Sequence, residues 1–263
     1  MAIVGHSLFN ITRIVLLLTL SLLMSASGGA SESRRLYFDL GLESGWIPFH
    51  RDFDGQSPGV FRLVTRAITQ QTGIEFIPVN LPPKRAELAL QAGLVDFDFV
   101  CLQWFADGNP GEQFVLSEPL FSIREYIITL KENAYKFAQP ESYKDKPIGT
   151  IAGYFYHNAE DFIRVDFLSE SLLMQGLQKQ RFEGIIMEQG TATHWARVHD
   201  VDIAFATLHS DGYLRMRLHN KYQPYLPEIN SAIKSLRESG EMAKILKQFS
   251  LEELAIPTPL NEN

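Results

Sequence analysis

Short apolar runs alternate with helix-period stretches in two successive blocks of this chain, and few folds accept such a pattern. In the first block, the apolar run from Arg35 to Leu42 is of buried-strand type. A helix follows, with Ser57 as its expected N-cap, Pro58 at its first position and a stripe at Val60, Leu63, Val64, Ala67 and Ile68 before Gly73. Glu75 to Val79 is the next strand, Pro82-Pro83 opens a second helix that Gly93 closes, and Val95 to Cys101 returns as a strand. This βαβαβ order calls for a parallel sheet covered by helices.

The second block starts near Lys146. Strands are expected at Pro147 to Ile151, Arg164 to Phe167, Glu183 to Glu188 and Val201 to Thr207, with helices near Asn158 to Ile163, Ser169 to Lys179 and Thr191 to Val198. Two α/β units imply two lobes. Extended segments, Ser122 to Lys131 and Tyr213 to Leu218, join them, and helices at about Tyr225 to Ser239 and Glu241 to Phe249 end the chain, followed by a tail over 255–263.

The N-terminus reads as a separate signal. Arg13 precedes the eleven-residue apolar run Ile14 to Met24, which passes into the small residues Ser25 to Ala30. Such a segment is expected to be a cleaved secretory leader, 1–30, since a membrane span needs about 20 residues. The lone Cys101 lies far from that junction, so no lipid anchor is expected, and it cannot form a disulfide within the chain. The product is thus expected to be periplasmic. With 24 basic against 31 acidic residues the net charge is −7, which argues against nucleic acid as a partner; 45% hydrophobic content supports packed cores.

Eight short motifs in a fixed order carry a resemblance. Among them are Gly45-Trp-Ile-Pro-Phe49, Asp54-Gly55, Gln71-Thr-Gly73, Leu81-Pro-Pro-Lys-Arg85, Leu90-Gln-Ala-Gly-Leu-Val-Asp96, Phe114-Val-Leu-Ser-Glu-Pro119, Pro147-Ile-Gly-Thr-Ile-Ala-Gly153 and the closing Gly240-Glu-Met-Ala-Lys-Ile-Leu-Lys-Gln-Phe249. From about Arg35 to Phe249 the chain resembles the family 3 extracellular solute-binding proteins of amino-acid ABC transporters. The resemblance implies the two-lobe periplasmic-binding-protein fold (type II), each lobe a mostly parallel α/β sheet flanked by helices. Lobe 1 would comprise 34–125 plus 216–254, lobe 2 would comprise 126–215, and two hinge strands would let them close on a ligand. It also implies a monomer that holds a small molecule without a cofactor or metal and presents it to a membrane permease or a receptor.

Carried over residue by residue, the resemblance implies a ligand site. Trp46 corresponds to the ring that stacks on ligand, where a tryptophan face also attracts a cation; packing in the lobe core is its other reading. Glu43 is either a loop contact to the ligand or a solvated carboxylate. Glu188 stands where the family has an Asp that pairs with an α-amino group. The family's Thr-x-x-Arg carboxylate clamp is absent: after Cys101 the chain reads Leu-Gln-Trp-Phe-Ala-Asp-Gly-Asn-Pro-Gly-Glu-Gln113. Either Arg85 or Arg124 replaces that arginine, or the ligand has no α-carboxylate; a solvated helix position for Arg85 and a hinge salt bridge for Arg124 are the alternatives. Gln103 and Trp104 sit where relatives place hydroxyl partners, and Tyr154 or Tyr156 would line the far wall. Glu43, Trp46, Trp104, Tyr154 and Glu188 together suit an amine-bearing or aromatic ligand.

The rival readings are an exported enzyme on the same scaffold, like the cyclohexadienyl dehydratases, with Glu188 or His157 as general acid, and a sensor presenting ligand to a receptor. The sequence has no Ser-His-Asp ordering, no His-Glu-x-x-His and no phosphate loop, and His194 and His199 lack the spacing of a metal pair.

Overall fold

The computed structural model describes residues 34–39, 45–51 and 57–257. The expected leader, Glu43, the 52–56 segment with Asp54-Gly55, and the tail from position 258 lie outside the described residues. Strand β1 (Arg35–Asp39) runs parallel to β2 (Glu75–Val79) on one side and β3 (Phe97–Cys101) on the other. Helices α1 (Val60–Thr72) and α2 (Pro83–Gln91) make the connections. The short β4 (Phe114–Leu116) and the long β5 (Phe121–Leu130) follow.

A second parallel group has β6 (Pro147–Ile151) between β7 (Ile163–Phe167) and β8 (Gly184–Glu188). Helix α3 (Glu170–Gln178) precedes β8, and α4 (Gln189–His199) follows it. The chain returns through β9 (Ile203–His219) and ends in α5 (Leu226–Glu238) and α6 (Glu241–Lys247). Strands β5 and β9 pair antiparallel along their length, β9 continuing to β3 and β4 while β5 pairs with β8, so the strand order is β2-β1-β3-β9-β5-β8-β6-β7. These two strands are the hinge strands of a two-lobe α/β fold.

Each lobe has its own core. In the first, Phe61 of α1 stacks on Phe99 of β3 with ring centroids 3.9 Å apart, and Leu36, Phe38, Phe97 and Ile233 pack around them. Burying each such side chain contributes about 1.5–3 kcal/mol. In the second, Leu173, Met174 and Leu177 of α3 pack on Ile185 and Met187 of β8. Gly149 and Gly176 have no room for a side chain there, since an added Cβ would come within 3 Å of Phe182.

Three expectations change. Helix α1 begins at Val60, with Gly59 in place of Ser57 as its N-cap, because the carbonyls of Arg51, Pro48 and Phe49 accept from the N–H groups of Gly59, Val60 and Phe61. A Cβ at Gly59 would lie 2.6 Å from two of those carbonyls, so only glycine fits against the 48–51 turn. The stretch expected as a helix near Asn158 is a run of single turns, with Ala159 N–H donating to Tyr156 and Asp161 N–H to Asn158. Five residues before a strand cannot repay helix nucleation, and Ile163 is already committed to β7 beside Pro147. The two extended segments around 201–207 and 213–218 are one strand, β9, whose pairing with β5 carries it across both lobes.

Candidate functional site

A cavity of about 130 Å³ opens where the lobes face each other. The first lobe lines it with Trp46, His50, Phe99, Asp98 and Trp104; the second adds Tyr154, Phe155, Tyr156, Glu170, Met187 and Glu188. Glu125 reaches it from hinge strand β5. Placement at the carboxyl ends of β3 and β8 follows the rule for α/β sheets, where ligands sit beyond the strand ends.

Trp46 combines the two readings its sequence position left open. Its ring packs into the first core, at 5.2 Å from both Phe49 and Phe61, and is only 8% exposed, while the same ring lines the cavity. The rings of Trp104 and Tyr154 lie 5.9 and 6.4 Å from it in edge-to-face arrangements, and all three line the cavity. The indole N–H of Trp104 is buried without a hydrogen-bond partner among the described residues. It is a donor available to a ligand oxygen.

The polar lining is acidic. Glu188 is 4% exposed at the end of β8, and its two carboxyl oxygens accept from the N–H groups of Gly190 and Thr191 at 2.8 Å, capping α4. Burial pushes its carboxyl up to about 7, with the helix N–H groups pulling the other way and nearby Glu125 adding to the rise. Glu170, in the first turn of α3 and 2% exposed, accepts from the Tyr154 hydroxyl at 2.8 Å through Oε1, while Oε2 is buried with no partner among the described residues. Burial pushes it up to about 8, against that hydrogen bond. Glu125 accepts from the Ser210 hydroxyl at 2.7 Å, and its Oε2 lies 3.6 Å from His209 Nδ1. Asp98 is different: Arg217, 1% exposed, grips both its oxygens at 2.9 and 2.6 Å and also reaches Glu87 at 2.8 Å.

Of the residues the sequence singled out, Trp46, Trp104, Tyr154 and Glu188 stand together in the cavity lining, as does Tyr156. Arg85, Gln103 and Arg124 stand outside it. Arg85 is exposed on α2. Gln103 accepts from the Cys101 thiol at 3.0 Å and lies over Gly212, where a Cβ would meet its side chain at 2.0 Å. Arg124 pairs with Asp211 of β9 at 3.1 Å. No Lys or Arg is among the described residues that line the cavity. His157 also lies off the lining, its ring 4.6 Å from that of His209.

Asp39, Glu87, Asp98, Glu125 and Glu170 are the lining acids that motif reasoning missed. For Glu125 a signal existed: Phe121, Ile123, Glu125 and Ile127 share one face of β5 by strand alternation, so the acid occupies an inward, apolar position while Arg124 faces out. Glu170 carries no comparable signal, since an acid after the N-cap Ser169 is ordinary helix chemistry.

The lobes touch directly beside the cavity. Trp195 of α4 donates its indole N–H to the Gly45 carbonyl at 2.7 Å, and the rings of Phe105 and Phe155 meet at 4.7 Å. Gly45 has φ +87°, and a Cβ there would meet the Trp195 ring at 3.2 Å and Glu170 Oε2 at 3.4 Å.

Comparison with known proteins agrees with this architecture. No curated protein matches the sequence. Among solved structures, the amino-acid ABC transporter substrate-binding protein AbpA from Streptococcus pneumoniae bound to L-arginine superposes with a TM-score of 0.66 at 18% identity, covering 84% of this chain and 96% of that one. The GluR0 ligand-binding core from Nostoc punctiforme in complex with L-glutamate gives 0.66 at 17% identity, with 82% and 99% covered. The ancestral amino-acid-binding protein AncCDT-1, a precursor of cyclohexadienyl dehydratase, gives 0.65 at 17%, with 88% and 99% covered. The family model for bacterial extracellular solute-binding proteins, family 3, matches residues 39–252. Over most of its length, then, this chain belongs to the bacterial extracellular solute-binding proteins, family 3.

Proposed function

We propose that the protein captures a small amine-bearing solute in the interlobe cavity and closes on it about β5 and β9, with lobes of 34–125 plus 216–254 and 126–215. The observation that carries this reading is the composition of the lining: Glu125, Glu170 and Glu188 buried beside Trp46, Trp104 and Tyr154, with no Lys or Arg among the described lining residues. Buried carboxyl groups with no Lys or Arg beside them favour a ligand that brings the positive charge, and aromatic faces add about 0.5–2 kcal/mol of cation attraction. An α-carboxylate would enter an acidic space with no guanidinium to meet it. Glu188, already engaged as a helix cap, keeps outward lone pairs for such a cation.

In this reading the protein works in the periplasm after removal of 1–30, as a monomer, and delivers its solute to a membrane permease of the ATP-driven type; presentation to a receptor would use the same closed form. It is a binder and not a catalyst. Prephenate, which the dehydratase reading requires, carries two carboxylates and would be repelled by the acids that line the cavity. Titration calorimetry against a panel of amines and amino acids tests the reading. Binding of amines and basic amino acids is expected, and tight binding of glutamate or aspartate alone would overturn it; consumption of prephenate would overturn the non-catalytic part.

A further inference from the structure

The cavity holds more carboxyl groups than one ammonium can satisfy. Arg217 already accounts for Asp98 and Glu87, and Asp39, the other acid of the lining, accepts from the Leu81 N–H at 2.8 Å. That leaves Glu125 and Glu188, side by side on paired strands, and Glu170, which comes from a different element altogether. Glu170 is fixed in place: Tyr154 holds Oε1, and Oε2 lies beside Gly45 with no hydrogen-bond partner among the described residues. A buried carboxyl oxygen left bare in the unliganded protein is expensive unless the ligand supplies its donor.

We infer that Glu170 is a second ammonium-binding carboxylate, set apart from the Glu125–Glu188 pair, and that the solute is an aliphatic diamine. The inference rests on the amine reading and makes it specific. One cationic end meets Glu125 and Glu188 at the ends of the sheet strands; the other meets Glu170 Oε2 beneath Trp46 and Tyr154. The methylene chain between them lies on the apolar lining of Ile186 and Met187, and its cationic ends face aromatic rings. A solute with one amine would leave one of the two acidic positions unanswered.

Calorimetry with putrescine and cadaverine against butylamine, on the wild-type protein and on Glu170→Gln, tests this. The expected result is that the wild type holds a diamine at least about tenfold more tightly than butylamine, and that Glu170→Gln removes most of that preference. A thermal melt confirms that the variant is folded; should it not fold, the wild-type ratio decides alone. Equal affinity for butylamine and the diamines, or a ratio untouched in a folded Glu170→Gln, overturns the second site and leaves the amine reading standing. Failure of every amine to bind overturns both.

Discussion

Glu125 on β5 stands directly opposite Glu188 on β8, two buried acids in register across an antiparallel pair. Side chains so placed have Cβ atoms about 4.5–5.5 Å apart, and like charges there oppose pairing. Under the amine reading, a bound cation would offset this cost. Glu125→Gln removes one of the two acids while keeping an oxygen for Ser210. The expected outcome is a higher melting temperature without ligand, by roughly 0.5–1 kcal/mol of stability, and a fall in affinity for a bound amine on the order of thirtyfold. Melting and calorimetry on the same preparations check both signs; unchanged affinity would remove Glu125 from the site.

The Trp195 hydrogen bond to Gly45 ties α4 of the second lobe to the turn that carries Trp46. It bridges the two lobes, so a hinge opening between them would break it. Trp195→Phe keeps an aromatic ring and loses the donor, so it is expected to weaken ligand retention by about 1 kcal/mol, or several-fold, chiefly as faster dissociation. Stopped-flow release of a bound amine would show this, and an unaltered dissociation rate would mean that the bond does not contribute to closure.

Much of the fold was legible because local chemistry and tertiary structure agree. The stripe of α1, its stop at Gly73 with φ +69°, the strand of 147–151 and the closing helices follow from periodicity and glycine alone. Ser57 misled because the first turn of α1 is satisfied by carbonyls of the 48–51 turn, a tertiary contact that no capping rule contains. Asn158 misled similarly, its side chain being held by Tyr143 and His209 in a network brought together from three segments. Half of the site was readable as motif positions, Trp46, Trp104, Tyr154 and Glu188, while the acids that decide its charge come from elements judged on their own. Arg124 and Glu125 show the limit: adjacent residues, opposite faces, and only strand alternation tells which one points inward.

Glu170 makes the stability of the empty protein depend on pH. Its ordinary value is 4.5, and burial raises it to about 8, so between these the folded state keeps a proton that the unfolded state has released. The contribution is therefore fully present below about 4.5 and is lost as pH rises through about 8. Its size is a few kcal/mol, and Glu188, raised to about 7 by burial, adds in the same direction. Urea unfolding of the ligand-free protein across this range is expected to show stability falling toward alkaline pH, with a shallower slope in Glu170→Gln. A variant slope equal to the wild-type slope would assign the effect to other groups. A bound cation should reverse part of the loss, since it favours the ionised carboxylate.

Arg217 sits at 1% exposure between Asp98 and Glu87, with the Phe114 ring 4.7 Å from its guanidinium carbon. It neutralises one side of an otherwise acidic cavity and anchors β9 to β3 at the register pair Asp98 and Arg217. Arg217→Leu fills a similar apolar volume but leaves the two half-buried acids unpaired. Removing one member of such a pair costs about 3–5 kcal/mol, far more than the pair itself contributes. Urea unfolding should show that loss at neutral pH. Adding Asp98→Asn to Arg217→Leu removes the stranded charge and is expected to recover a large part of it, because the penalty lies in the unpaired carboxylate and not in the missing guanidinium. If the double variant is no more stable than Arg217→Leu, the arginine acts by packing against Phe114, and the acidic character of the cavity does not depend on it.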